Sequence, residues 1–294
     1  MSPPIDTNAL ARPEFLPDPD RSREEMESLQ RELAAAATFA DDLDFTPAEI
    51  AIDEAADRST GLPPARSEPT GDLDPDAPVV VGIDQAFRPE RDEAISAAVA
   101  IRDGCVIEYA DAVTPLSIPY VPGLLAFREG EPILAALEAL SVEPDLLVCD
   151  GSGRIHFRQA GIATHVGVIR DLPSVGVAKR LLCGEPDEPV GERPEGWSTA
   201  IRADDSVERV GGDVDDADAD PDAGPPVIGH AYQSRQYPNS RRVNPLYVSP
   251  GHRASAETTV ELVAALCAGY KLPEPTRLAD AHADRVKRRL DGDG

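Results

Sequence analysis

Residues 79–83, VVVGI, run without a polar interruption straight into Asp84, and residues 146–149, LLVC, run the same way into Asp150. Runs this short cannot span a membrane, and their length and branched side chains suit buried strands. Around them the pattern alternates. ISAAVAIRDG and CVIEYADAV read as two strands joined at Asp103-Gly104, a dipeptide favoured in tight hairpins, so the first three strands should be antiparallel. After Glu131-Pro132, the residues Ile133, Leu134, Leu137 and Leu140 share one helical face, and Pro144-Asp145 closes that helix ahead of LLVCD. GIATHVGVIRDL has helical spacing, and PSVGVAKRLL returns to a strand. The expected class is α/β, a mixed sheet flanked by helices.

The flanks differ in composition. Residues 1–20 are rich in Pro and Asp and read as a disordered leader. Within 21–40, Met26, Leu29 and Leu33 mark a helix packed on the core, with glutamates in its first turn. Residues 41–77 read as an acidic, Pro-rich linker or insertion. The folded core should occupy 78–290, interrupted at 203–226 by a solvated insertion with nine acidic residues against Arg209. The segment from Ser255 to Tyr270 reads as the last ordered piece, a helix with Ser255 as N-cap.

Acidic residues number 54 against 28 basic ones, of which Lys179, Lys271 and Lys287 are the lysines, and the net charge is −26. That balance speaks against a polyanionic partner and for an acidic surface suited to high salt. The cysteines 105, 149, 183 and 267 are scattered, which gives neither zinc spacing nor a disulfide framework. No apolar stretch is long enough for a membrane span and no secretory start is present, so a cytoplasmic monomer is expected.

Asp84 and Asp150, at the exits of two buried strands, could be brought together, and Glu129 lies on a Pro- and Gly-rich loop just before a helix. Carboxylates held close repel one another unless a cation lies between them, and hard oxygen donors favour Mg²⁺ or Mn²⁺. Such sites hydrolyse phosphodiesters. Each acid alone is weak evidence in a chain this acidic.

The blocks VVVGIDQAF, PYVPGLLAFREGEPIL, PDLLVCDGSGRIHFRQAGIATHVGVIRDLPSVGVAKRLLCGE, VSPGHRASAETTVELV and GYKLPEPTRLAD resemble, in order, the signature blocks of the endonuclease V family. The resemblance covers most of residues 78 to 285 and implies an RNase H-like fold. It implies a nuclease that flips a deoxyinosine from DNA and cuts the second phosphodiester bond 3′ to it with Mg²⁺. Asp84, Glu129 and Asp150 would hold the metal, Lys179 would stabilise charge at the phosphate, and His252 would orient or deprotonate water. Tyr120, presented between Pro119 and Pro122, would be the wedge that fills the place of the extruded base. Gly123, Leu125, Gly151, Gly161 and Leu182 would shape the base pocket, and His156 would contact phosphate or order the site. The chain departs from many members at Ser152, where they carry histidine. Two alternatives stand beside this reading: an endonuclease for inosine in RNA, and a non-catalytic nucleic-acid-binding module on the same fold. Arg235, Arg241, Arg242, His252 and Arg253, close together in sequence, could form a local basic rim despite the net charge.

Overall fold

The computed structural model describes residues 5–66, 73–116, 118, 121, 123–209 and 224–292. A first helix, α1 (Arg23–Ala36), opens with a capping box in which Ser22 and Glu25 satisfy each other's backbone N–H groups. Strands β1 (Val80–Arg88), β2 (Glu93–Arg102) and β3 (Cys105–Pro115) form an antiparallel meander. Its second turn places both Asp103 and Gly104 at positive φ, as a two-residue hairpin requires. Helix α2 (Leu125–Glu138) then leads to β4 (Leu146–Asp150), and α3 (Ile162–Arg170) to β5 (Ser174–Ala178). The chain continues through β6 (Glu185–Pro186), β7 (Ser198–Arg202), β8 (Val227–Tyr232) and β9 (Leu246–His252). It closes with α4 (Ala256–Ala265) and α5 (Glu274–Asp291).

The nine strands make one mixed sheet in the order β3-β2-β1-β4-β5-β9-β8-β7-β6, with β1, β4 and β5 parallel at its centre. The α/β class and the mixed sheet flanked by helices are as the sequence implied. Period-two alternation divides the central strands between two cores. Val79, Val81, Ile83, Leu147 and Cys149 pack with α1, α2 and α3. Val80, Leu146, Val148, Val175 and Val177 pack with α4 and α5 on the opposite face. Gly82 is where α5 comes closest: a Cβ there would lie 2.1 Å from the carbonyl carbon of Pro275.

Several expectations are corrected. The leader is docked rather than loose in its described part: Leu10 and Phe15 are buried in the core, and the N–H groups of Ala11 and Arg12 both donate to Ile169 O. Within the acidic segment that follows α1, Phe45, Ile50 and Ile52 are buried against the second core, so this stretch is no detached linker. Helix α2 begins at Leu125, eight residues before Ile133, with Pro132 inside it. Asp84 lies within β1, which runs on to Arg88, although β4 pairs with β1 only as far as Ile83. A further helix, α5, follows the segment expected to be last. Residues 210–223 of the acidic insertion lie outside the described residues; its ends join β7 to β8, an antiparallel pair.

Candidate active site

Parity places the first two acids. Asp84 and Asp150 continue the even-numbered face of β1 and β4, the face covered by α5, just where β4 ends. Lys179, the residue after β5, sets its Nζ 2.7 Å from Asp150 Oδ2. Glu129 comes from α2, which covers the other face of the sheet. There Gln85, an odd-numbered residue of β1, donates from Nε2 to the Glu129 carbonyl at 3.0 Å. Pro132 has no N–H to offer the Arg128 carbonyl, so the helix is missing a rung in this turn.

The acids feel each other. Burial foremost, then the charges of Asp150 and Asp280, push the Asp84 carboxyl up to about 8, against the pull of the Gln85 backbone N–H and Lys179. Burial likewise raises Glu129 to about 7, with Arg128 opposing and Asp150 adding to the rise. Burial is the largest single influence on Lys179 and favours its neutral form, but its bond to Asp150 and the charges of Asp150, Asp84 and Asp280 together hold its pKa above the usual lysine value. Among the described residues no three His, Cys, Asp or Glu side chains already enclose a common point. The donor set is nonetheless what a hard divalent cation takes, all carboxylate oxygen, and the raised carboxyls show negative charge short of a positive partner. The residues fit such an ion.

Asp280 escaped the sequence reading. It lies on α5, and its charge reaches both Asp84 and Lys179. Lys271 was counted but given no role; burial and the charge of Lys179 lower its pKa, so two of the chain's three lysines stand near one another. The available signal was Glu274-Pro275 ahead of Leu278 with Arg288 and Arg289 fourteen and fifteen residues on from Glu274, the marks of a helix start and end.

His252 is not brought to the acids. It pairs with Ser174 at the far end of β5, whereas Val177 stands beside Asp150 and pairs with Val248. The four residues from Val248 to His252 carry it about 13 Å along the strand. Its Nδ1 accepts from Thr38 N–H and its Nε2 donates to Asp171 Oδ1, so both ring nitrogens are engaged and burial favours the neutral ring. It lines a polar cavity of about 400 Å³ with Arg12, Asp42, Asp171 and Arg253.

His156 is also structural here. Its Nε2 donates to Gly123 O at 3.2 Å, its Nδ1 accepts from Arg158 N–H, and burial depresses its pKa to about 4. The Gly123 carbonyl accepts a second bond from Gln30 of α1 at 3.0 Å. Tyr120 and Pro122 lie outside the described residues. Gly151 N–H donates to Val177 O and Gly161 N–H to Gly153 O, so neither amide is directed to a ligand. Both glycines are required by packing, since a Cβ at Gly151 would meet Ile162 at 2.4 Å and one at Gly161 would meet Ser152 O at 2.3 Å. Leu125 and Leu182 are 36% and 44% exposed, which removes them from the core and leaves both open to a partner.

Comparison with known proteins is consistent with this geometry. The Endonuclease V family profile matches residues 66–281. Endonuclease V of Natronomonas pharaonis is 54% identical over 285 residues, covering 97% of this chain and 99% of that one. The crystal structure of Endonuclease V from Streptomyces avermitilis superposes with a TM-score of 0.65 at 31% identity, covering 92% of this chain and 95% of its own. Endonuclease V from Ciona intestinalis, solved with a 24mer DNA containing an inosine followed by a ribo-adenosine, shares the fold at 23% identity and a TM-score of 0.64, covering 91% and 98% of the two chains. The chain belongs to the Endonuclease V family.

Proposed function

We propose that this protein is a Mg²⁺-dependent DNA repair endonuclease that recognises deoxyinosine and hydrolyses the second phosphodiester bond 3′ to it. The observation that carries the reading is the set of partly buried acids Asp84, Glu129 and Asp150, the first two raised by burial and by the charge of Asp150, with Lys179 bonded to Asp150. The inosine-bearing DNA held by the Ciona relative supports the choice of lesion.

Asp84, Glu129 and Asp150 would hold the ion, with Asp280 adding negative charge from α5. A divalent ion held there supplies Lewis acidity at the scissile phosphate and lowers the pKa of the attacking water. Lys179 places an ammonium where negative charge grows on the phosphoryl oxygens. The exposed Leu125 and Leu182 offer apolar surface to the flipped base, and Tyr120 is the assigned wedge. His252, held by Thr38 and Asp171, supports the fold rather than the water.

The test uses a labelled duplex with one deoxyinosine, a matched RNA, an adenine control, EDTA and Asp150→Asn. A nick just 3′ of the lesion, dependent on Mg²⁺ and lost in the variant, supports the reading. Cleavage of the RNA alone would replace the substrate, and no cleavage of either would leave a binding module.

A further inference from the structure

The loop joining β8 to β9 leaves the sheet at the end where Lys179 stands: Tyr232 pairs with Leu246, and the next residue, Tyr247, pairs with Ala178. From residue 232 to 245 it reads YQSRQYPNSRRVNP, three arginines and no acid in a chain whose net charge is −26. The loop is firmly built. Gln233, fully buried, donates from Nε2 to the carbonyls of Arg235 and Val243, and Gln236 donates to Arg193 O and Val243 O. Ser234 Oγ donates to Lys271 O at 2.6 Å, tying the loop to the segment that leads into α5 and Asp280.

Two tyrosines face outward on this joint. Tyr237 is 55% exposed and Tyr270 45%. The Arg235 guanidinium lies 5.4 Å from the Tyr237 ring centre and 5.5 Å from that of Tyr270. Tyr270 is backed from beneath by Arg277 at 4.3 Å, itself fixed by a buried ion pair with Glu274. Among the described residues the side-chain contacts of Arg235 are with these two rings. Flat rings alternating with a guanidinium, rigidly carried and open on one side, are the elements with which proteins stack unpaired bases. Stacking also suits a chain this acidic, because it is less weakened by salt than contacts between lysine or arginine and phosphate.

We propose that Tyr237, Arg235 and Tyr270 form a stacking platform for unpaired bases of the strand being cut, next to the candidate site. The proposal takes a nucleic-acid substrate from the reading above, and its test is independent of lesion and metal. Anisotropy of a labelled, inosine-free single-stranded DNA is measured in EDTA, beside the same sequence as duplex. Tyr237→Ala and Tyr270→Ala should each weaken single-strand binding about fivefold or more, and the duplex less. The Phe variants should stay within about twofold, and Arg235→Gln should weaken single-strand binding more than duplex binding, as the tyrosine-to-alanine variants do. Arg23→Gln, which removes an equal charge from α1, serves as the control, and thermal melts show whether Tyr270→Ala is folded. Alanine variants that bind single strands like the parent, or lose duplex affinity equally, overturn the platform. Absence of inosine cleavage in the parent, with single-strand binding still lost in the variants, would overturn the proposed activity and keep the platform.

Discussion

Lys179 has half of its surface in water and still keeps its ammonium against Asp150. Replacing it by alanine should lower kcat about 10²- to 10³-fold with little change in KM, as loss of a group that acts on developing charge does; a rise in KM with kcat intact would instead make it a binding residue. Asp84, Asp150 and Lys179 were legible as candidates because each follows an apolar run; for Asp150 and Lys179 that run does end a strand, whereas Asp84 lies inside β1 at the level where its neighbour β4 ends. Glu129 was legible as an acid but not as a helical one, since Pro132 reads as a helix start and here stands inside the helix. His252 could not be placed from its motif, because β9 starts at the sheet's active end and runs antiparallel to β5, carrying its last residue to the opposite end. Asp280 was hidden for a different reason: its helix is buried through polar residues such as Thr276, Arg277 and His282 and through small ones, Ala279, Ala281 and Ala283, with Leu278 and Val286 as its large apolar side chains, so little apolar periodicity shows.

At the scale of elements, two attachments can be tested. Ser22→Ala removes the cap of α1 and should cost about 1 kcal/mol in urea unfolding. An unaltered stability would mean that this helix is held by its packing and by the bond from Gln30 to Gly123 O rather than by its cap. The leader depends on His165, fully buried, whose Nε2 donates to Phe15 O and whose pKa burial depresses to about 4. Its folded pKa lies below its unfolded value, so the stability it contributes is complete above about 6.5 and is lost as pH falls toward 4. The protonated ring would present Nδ1–H, for which there is no acceptor among the described residues. His165→Gln should therefore flatten the fall in urea midpoint between pH 7 and 4.5, and a slope equal to the parent's would assign the acid lability elsewhere. Phe15 was not foreseen as buried, since a lone aromatic among prolines and aspartates has no period to betray it.

For the whole molecule, a net charge of −26 acts against the compact state wherever salt is low. The Debye length falls from about 10 Å at 0.1 M salt to about 3 Å at 1 M, so the thermal midpoint should climb with KCl over that range. A midpoint indifferent to KCl would show that the acids are neutralised locally by their ion pairs. Composition made this property legible from the start, whereas the five strands beyond β4 were only partly so. Short segments such as Glu185–Pro186 have no periodicity, and their pairing is decided by neighbours distant in sequence.

The contact between Gly82 and Pro275 bears on how the molecule avoids a wrong answer. Strands β1 and β4 are greasy on both sides, so neither side tells them which way to turn, and water would not penalise a slip by one residue. Such a slip would nonetheless swing both aspartates away from α5 and present Val81 or Ile83 to the backbone of Pro275, where even a single methyl does not fit. The missing side chain thus serves as the proofreading mark of the sheet. Gly82→Ala should cost about 3 kcal/mol by overpacking, and in whatever folded fraction survives, the aspartates should be the first thing misplaced.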